Sequence, residues 1–216
     1  MNYNLIKDVI DLVQQFENEN RVNNNFEATV EGLKNWISDA HQPYDTEPDW
    51  EGKENGRSAE SVINTLIVHL NRYAKSYSKS AISGSAFSTQ EDFIYLISLK
   101  AFGEMSKMDL IKKNVHEKSV GMQIINRLIH SGWIEQRHSK TDKRSKVISI
   151  TQNGLTALEN QMDKIRKATE IVTGNLSKNE KMVLIRLLNK LDDFHHPIYE
   201  KNIKTEHLLN EALKIR

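Results

Sequence analysis

The sequence predicts a mainly α chain interrupted by one small β-hairpin, and three observations predict it. Apolar residues recur at spacings of three and four over most of the 216 residues. The period falls to two in one place, near 133–152. Nine Gly and three Pro are too few for a loop-rich or all-β design. A chain of this length makes one large domain or two small ones, at roughly 150 residues per domain. Six Phe, six Tyr and three Trp argue against a disordered chain.

Leu5, Ile6, Val9, Val13 and Phe16 share one face of a first helix, and Phe26, Val30, Leu33, Ile37 and Ala40 one face of a second. The Asn-rich stretch 17–25 is the break expected between them. Residues 41–57, HQPYDTEPDWEGKENGR, hold two Pro, two Gly and a surplus of acids, and read as an exposed connection. From about Ala59 to Ser80 a long helix carries Val62, Leu66, Leu70, Tyr73 and Tyr77 in one stripe, flanked by Ile63 and Ile67. Ser83, Gly84 and Ser85 form a linker.

Ser88 or Thr89 caps the next helix, with Glu91 and Asp92 in its first turn, where negative charge suits the helix dipole. It carries Phe93, Ile94, Leu96, Ile97 and Leu99 and stops near Gly103. Shorter helices follow at 107–114 and 118–130, the second closed by Gly132. WIEQRHS and KVISITQ then alternate apolar and polar residues around the turn KTDKRS, which makes a hairpin. After Gly154 the helical period returns through Leu155, Leu158, Met162, Ile165, Thr169, Val172 and Leu176. Ser177 caps a further helix with Glu180 at the capping-box position. Pro197 is expected to break that helix near Phe194, leaving 201–216 for one last short helix.

Three helices followed by a two-stranded hairpin describe a winged helix-turn-helix. The expected organisation is an N-terminal helical extension and acidic loop (1–58) and a long scaffold helix (59–84). A winged helix-turn-helix (85–154) follows, and then C-terminal helices and a tail (155–216). The stripes of 155–176 and 182–194 are more apolar than one small winged domain can bury, which favours dimerisation through these helices; packing within one chain is the alternative.

Charge is informative only locally. The whole chain carries +1, but nine bases and three acids between Lys112 and Lys146 give that window +6 and leave −5 for the remainder. Clustered cations suit phosphates, although a solvated basic face has the same composition. The helix 118–130 is the one expected in a major groove, with Lys118, Ser119, Met122, Gln123 and Asn126 outward and Val120, Ile124, Ile125 and Leu128 inward. Gln and Asn pair bidentately with adenine, so Gln123 and Asn126 are the base-reading candidates. Arg127 and Arg137 add charge, and Lys140, Lys143, Arg144 and Lys146 make a thin basic wing suited to a minor groove. Asp142, two residues before Arg144, is suited to orienting an arginine by a charge-assisted hydrogen bond.

The segment LIHSGWIEQRHSKTDKRSKVISITQNGLTAL resembles the wing of the MarR family of bacterial transcription regulators. The family's leucine and glycine at the end of the recognition helix correspond to Leu128 and Gly132. Its D-x-R of the wing corresponds to Asp142-Lys143-Arg144, and its L-T-x-x-G-like helix start to Ile150-Thr151-Gln152-Asn153-Gly154. Through helix order and spacing the resemblance extends over about 59–195; residues 1–57 and the tail lie outside it. It implies a homodimer acting as a repressor on a pseudo-palindromic operator in double-stranded DNA, with Arg144 as the minor-groove arginine and Asp142 as its partner. A recognition-helix position that is often Arg in the family is Gln123 here, which implies a different base preference. It also implies a small effector, often an aromatic anion, bound between the dimerisation helices and the winged domain. Trp36, His69, Arg72, Tyr73 and Tyr77 are the residues that could supply aromatic walls and a cationic anchor, or simply pack.

Two other classes remain to be weighed. An enzyme needs a site, and the eight His and many carboxylates show no H-E-x-x-H, P-loop or G-x-S-x-G, so no catalytic or metal-binding residue and no cofactor is expected. A winged helix used only for protein contacts is the alternative function, against which the basic wing argues. The absence of cysteine excludes disulfides, thiolate metal sites and thiol redox switching. An acidic, amphipathic N-terminus and the lack of an apolar run near 18 residues lead to the expectation of a cytoplasmic protein.

Overall fold

The computed structural model describes residues 3–23, 26–40, 48–139 and 144–215, which divide into two compact units, Met1–Ile63 and Asn64–Arg216. The first holds α1 (Tyr3–Asn23) and α2 (Val30–Ala40). Phe16 and Trp36 are each only 4% exposed and pack with ring centroids 5.6 Å apart, and the Trp36 indole N–H donates to Glu19 at 2.9 Å. The first helix ends inside the Asn-rich stretch, as expected, but near its far end, at Asn23. Two side chains explain the extension. Glu19 is fixed by Trp36, and the Asn20 amide clasps the Phe26 backbone at both N–H and C=O (2.9 and 2.6 Å), which closes the turn.

In the second unit, α3 (Ala59–Ala81, begun in the first) leads to α4 (Gln90–Phe102), α5 (Lys107–Lys113) and α6 (Lys118–His130). Strands β1 (Ile134–His138) and β2 (Lys146–Ile150) follow, then α7 (Gln152–Val172), α8 (Lys178–Glu200) and α9 (Thr205–Leu213). The strands pair antiparallel in the register Ile134 to Ile150 and His138 to Lys146. α4 is apolar on nearly every side because it is the central helix: Phe93, Tyr95, Leu96 and Leu99 are buried with Leu110 and Ile111 of α5, Ile124, Ile125 and Leu128 of α6, and Leu158 and Ile165 of α7. Each strand adds one buried residue to this core, Ile134 and Ile148, so the rest of the hairpin stands clear of it.

Local chemistry sets the joints. Gly132 sits at φ 69°, where a side chain is strained, and its N–H and that of Trp133 bond to Ile129 and Leu128 (2.9 and 3.0 Å), turning the chain from α6 into β1. Thr151 ties both ends of the hairpin to α7. Its hydroxyl donates to the Gly132 carbonyl (2.7 Å) and accepts from the Gly154 N–H (3.1 Å), while its N–H donates to the Trp133 carbonyl (2.9 Å). Ser177 and Glu180 form a reciprocal capping box, which holds the Glu180 carboxyl below its ordinary value.

Pro197 does not break α8, which runs on to Glu200. A proline removes one helical N–H and crowds the carbonyl four residues back, a cost that falls here near the helix end. The last turn is anchored by buried Ile198 and by the Tyr199 hydroxyl, which donates to the His116 carbonyl at 2.7 Å.

Candidate nucleic-acid interface

α6 lies in the winged unit with its buried face formed by Gly121, Ile124, Ile125 and Leu128. Gly121 is required for that packing, since a Cβ there would meet the Ile111 side chain at 2.4 Å. The opposite face exposes Lys118, Ser119, Gln123 and Asn126, with Gln123 and Asn126 one turn apart. Two expectations change. Val120, expected inward, is 43% exposed, whereas Met122, expected outward, is half-buried and packs on the core. Both residues flank the buried Gly121, Ile124, Ile125 and Leu128 face at the helical period, and the core lies on the Met122 side.

The basic residues divide into two kinds. Arg127 Nε and Nη2 bond to Asp92 Oδ1 at 2.9 and 2.5 Å, and Nη2 also reaches the Thr89 hydroxyl at 3.2 Å. Asp92 is fully buried. Its other oxygen accepts the Ser88 and Thr89 N–H groups (2.8 and 3.0 Å), so one carboxylate caps α4 and anchors α6 together. Arg137 is ion-paired with Glu104. Lys118, Arg144 and Lys146 are exposed, Arg144 at the foot of the hairpin tip and Lys146 on β2. Lys140, Asp142 and Lys143 lie outside the described residues.

The hairpin has a further partner that alternation alone does not reveal. Met105 and Ile148 exchange backbone hydrogen bonds of 3.2 and 2.8 Å, so the segment before α5 adds a one-residue third strand to the wing. The helix-turn-helix turn is likewise held by contacts that no local sequence pattern reveals. The Tyr95 hydroxyl lies 2.9 Å from His116 Nδ1, and Glu91 lies 3.6 Å from Nε2. Burial, then Glu91 and Tyr199, push the Tyr95 hydroxyl well above its ordinary value.

Of the residues considered for an effector, His69, Arg72, Tyr73 and Tyr77 lie on exposed positions of α3, with the His69 and Tyr73 rings 6.4 Å apart. Trp36 belongs to the first unit, where it packs on Phe16.

Residues 87–154 match the family model of a winged helix DNA-binding domain. The HTH-type transcriptional repressor NicR of Pseudomonas putida is 24% identical over 134 residues, covering 62% of this chain and 84% of that protein. Among solved structures, Bordetella bronchiseptica BpsR, described with regulation of its DNA binding by 6-hydroxynicotinic acid, superposes with a TM-score of 0.57 at 20% identity. The match covers 68% of this chain and 98% of that one. A mutant MarR from E. coli in complex with operator DNA gives 0.56 at 21% identity, covering 67% and 99%. No helix among the described residues is long and apolar enough to cross a membrane.

Proposed function

We infer from a winged helix DNA-binding domain at 87–154, carried on a fold like that of MarR, that the chain is a MarR-type transcriptional regulator that binds double-stranded DNA. The observation that carries this reading is the outward face of α6, where Lys118, Ser119, Gln123 and Asn126 stand clear of the core beside a protruding hairpin. A helix presenting short polar side chains and a cation is suited to base edges and flanking phosphates. Gln123 and Asn126 read bases. Lys118 and Ser119 line the same approach, and Lys140, Lys143, Arg144 and Lys146 grip the backbone or minor groove, with Asp142 orienting the wing arginine. Arg127 and Arg137 act through the positions they hold, paired with Asp92 and Glu104, as well as through their charge.

The protein works as a homodimer, because two-fold symmetry matches two half-sites about one DNA turn apart. The exposed apolar residues of α3 and α8 support this, among them Leu66, Leu70, Ile185, Leu188 and Leu191. It represses by occupying its operator and is released by a small aromatic or anionic effector. That is supported by the regulation of BpsR DNA binding by 6-hydroxynicotinic acid and by the aromatic and cationic side chains on α3.

The test is to select genomic fragments on the purified protein and titrate the enriched duplex against random DNA over a range of salt. A preference of at least a hundredfold for the enriched duplex, falling steeply as salt rises, is expected. Equal affinity for enriched and random DNA sinks the reading.

A further inference from the structure

The turn of the helix-turn-helix is gripped by an element that ordinary readings of the motif leave out, the last turn of α8. Between α5 and α6, Val115 sits at φ 52°, a left-handed conformation that a β-branched residue adopts only under constraint. The adjoining His116 supplies that constraint at three points. Its ring is held by Tyr95 and Glu91 of α4, and its backbone carbonyl accepts the Tyr199 hydroxyl at 2.7 Å from 83 residues further along the chain. Burial, with Glu200 adding to it, raises the pKa of Tyr199, in keeping with a hydroxyl that donates to a carbonyl. Beside this contact α5 and α8 stand apart. Lys112 and Val115 face Asp192 and Glu200 across an open cleft of about 450 Å³. The Tyr199 hydrogen bond is therefore a localised latch at the edge of an open cleft.

We propose that Tyr199 is a positioning residue for DNA recognition. By fastening α8 to the turn ahead of α6, it fixes the angle at which α6 meets the duplex and ties that angle to the state of the C-terminal helices. The proposal rests on the DNA-binding reading above. Its physical content is that α6 starts two residues after His116, so a shift at the turn moves Lys118 and Ser119 first and Gln123 with them. A change in how α8 packs, whether through a second copy or a ligand, reaches the turn ahead of the recognition face through this hydroxyl.

The experiment uses the full chain carrying Tyr199→Phe, which removes that oxygen and little volume. Hydrogen–deuterium exchange of the amides at 114–121 reads the latch without DNA. Fluorescence anisotropy with the enriched duplex and with random DNA of the same length reads its consequence. Exchange at the turn is expected to rise at least threefold, and affinity for the enriched duplex to fall roughly three- to tenfold, as loss of one neutral hydrogen bond implies. Affinity for random DNA and the sedimentation coefficient stay at wild-type values. A merely structural loss would lower both affinities together, and that outcome overturns the proposal. So does unchanged exchange, or raised exchange with unchanged affinity for the enriched duplex. Failure of the wild-type chain to prefer any fragment is a different result. It removes the DNA-binding reading, and the proposal falls with it.

Discussion

Removing Arg127 leaves a carboxylate with no solvent and no counter-charge, because Asp92 is fully buried and its second oxygen is already committed to α4. Arg127→Ala is therefore expected to lower unfolding stability by about 3 kcal/mol in urea titration, since breaking a buried pair costs more than the pair contributes. Arg127→Lys recovers only part of that loss, because a single ammonium nitrogen cannot reproduce the paired Nε and Nη2 bonds to Asp92. An Arg127→Ala variant as stable as wild type would show that the pair does not hold α6. The neighbouring Tyr95 gives a pH signature. Its ordinary pKa is 10.0 and burial raises it in the folded state. Above pH 10 the unfolded chain therefore loses a proton that the folded chain keeps. The stabilisation is complete below pH 10 and is lost as pH climbs toward the folded value. Tyr95→Phe is expected to flatten the fall in stability on the alkaline side, read from denaturation midpoints at stepped pH. An alkaline limb as steep as wild type would assign it to other groups. At this scale the sequence was only half legible. Asp92 was readable as a first-turn acid and Arg127 as a helical base in a basic window. Their pairing, 35 residues apart, depends on how α4 crosses α6, which no local pattern encodes.

Among the elements, the hairpin was legible because strand period and helix period differ, and α6 because its apolar positions and its closing glycine agree. Met105 was not, since one residue has no period, and it becomes strand-like only by facing Ile148. α8 outran its proline because Ile198 and Tyr199 find tertiary partners, and a chain-local rule cannot weigh those. Gly121 permits the close approach of α5 and α6, so Gly121→Ala puts a Cβ 2.4 Å from Ile111 Cγ1 and the side chain or the helices must shift. A loss of about 1–3 kcal/mol in stability is expected, the usual range for overpacking, together with weaker binding to the enriched duplex as α6 tilts. A Gly121→Ala variant of wild-type stability and affinity would show that the helices separate freely. At the other end of the hairpin, Thr151→Ala removes both the α7 cap and the tie to Gly132 and should cost about 1–2 kcal/mol, whereas Thr151→Ser retains most of it. Equal stability of the two variants would deny the hydroxyl that role.

For the whole molecule, the near-neutral total conceals a +6 window and a −5 remainder, and the fold puts much of that window on one helix and one hairpin. Helix order and the change of period made this architecture readable. What lay beyond reach was which apolar stripes close internally. α4 and α7 bury theirs, while α8 leaves Ile185, Leu187, Leu188 and Leu191 between 41% and 55% exposed. Stripes of this kind are costly to leave in water, at roughly 25 cal/mol per Å² of apolar surface, and a second copy is the occupant that the proposed two-fold operator calls for. In a two-fold interface each substitution is present twice, so Leu188→Glu with Leu191→Glu brings four carboxylates into the contact. Sedimentation should show a wild-type dimer of 24.9 kDa chains and a variant shifted to monomer, with helical circular dichroism kept. Because two linked reading heads bind far more tightly than one, the monomer should lose affinity for the enriched duplex by roughly a hundredfold or more while keeping weak, salt-sensitive binding to any DNA. A variant that still sediments as a dimer would move the interface off α8, and a monomer that binds with wild-type affinity would remove the need for two heads.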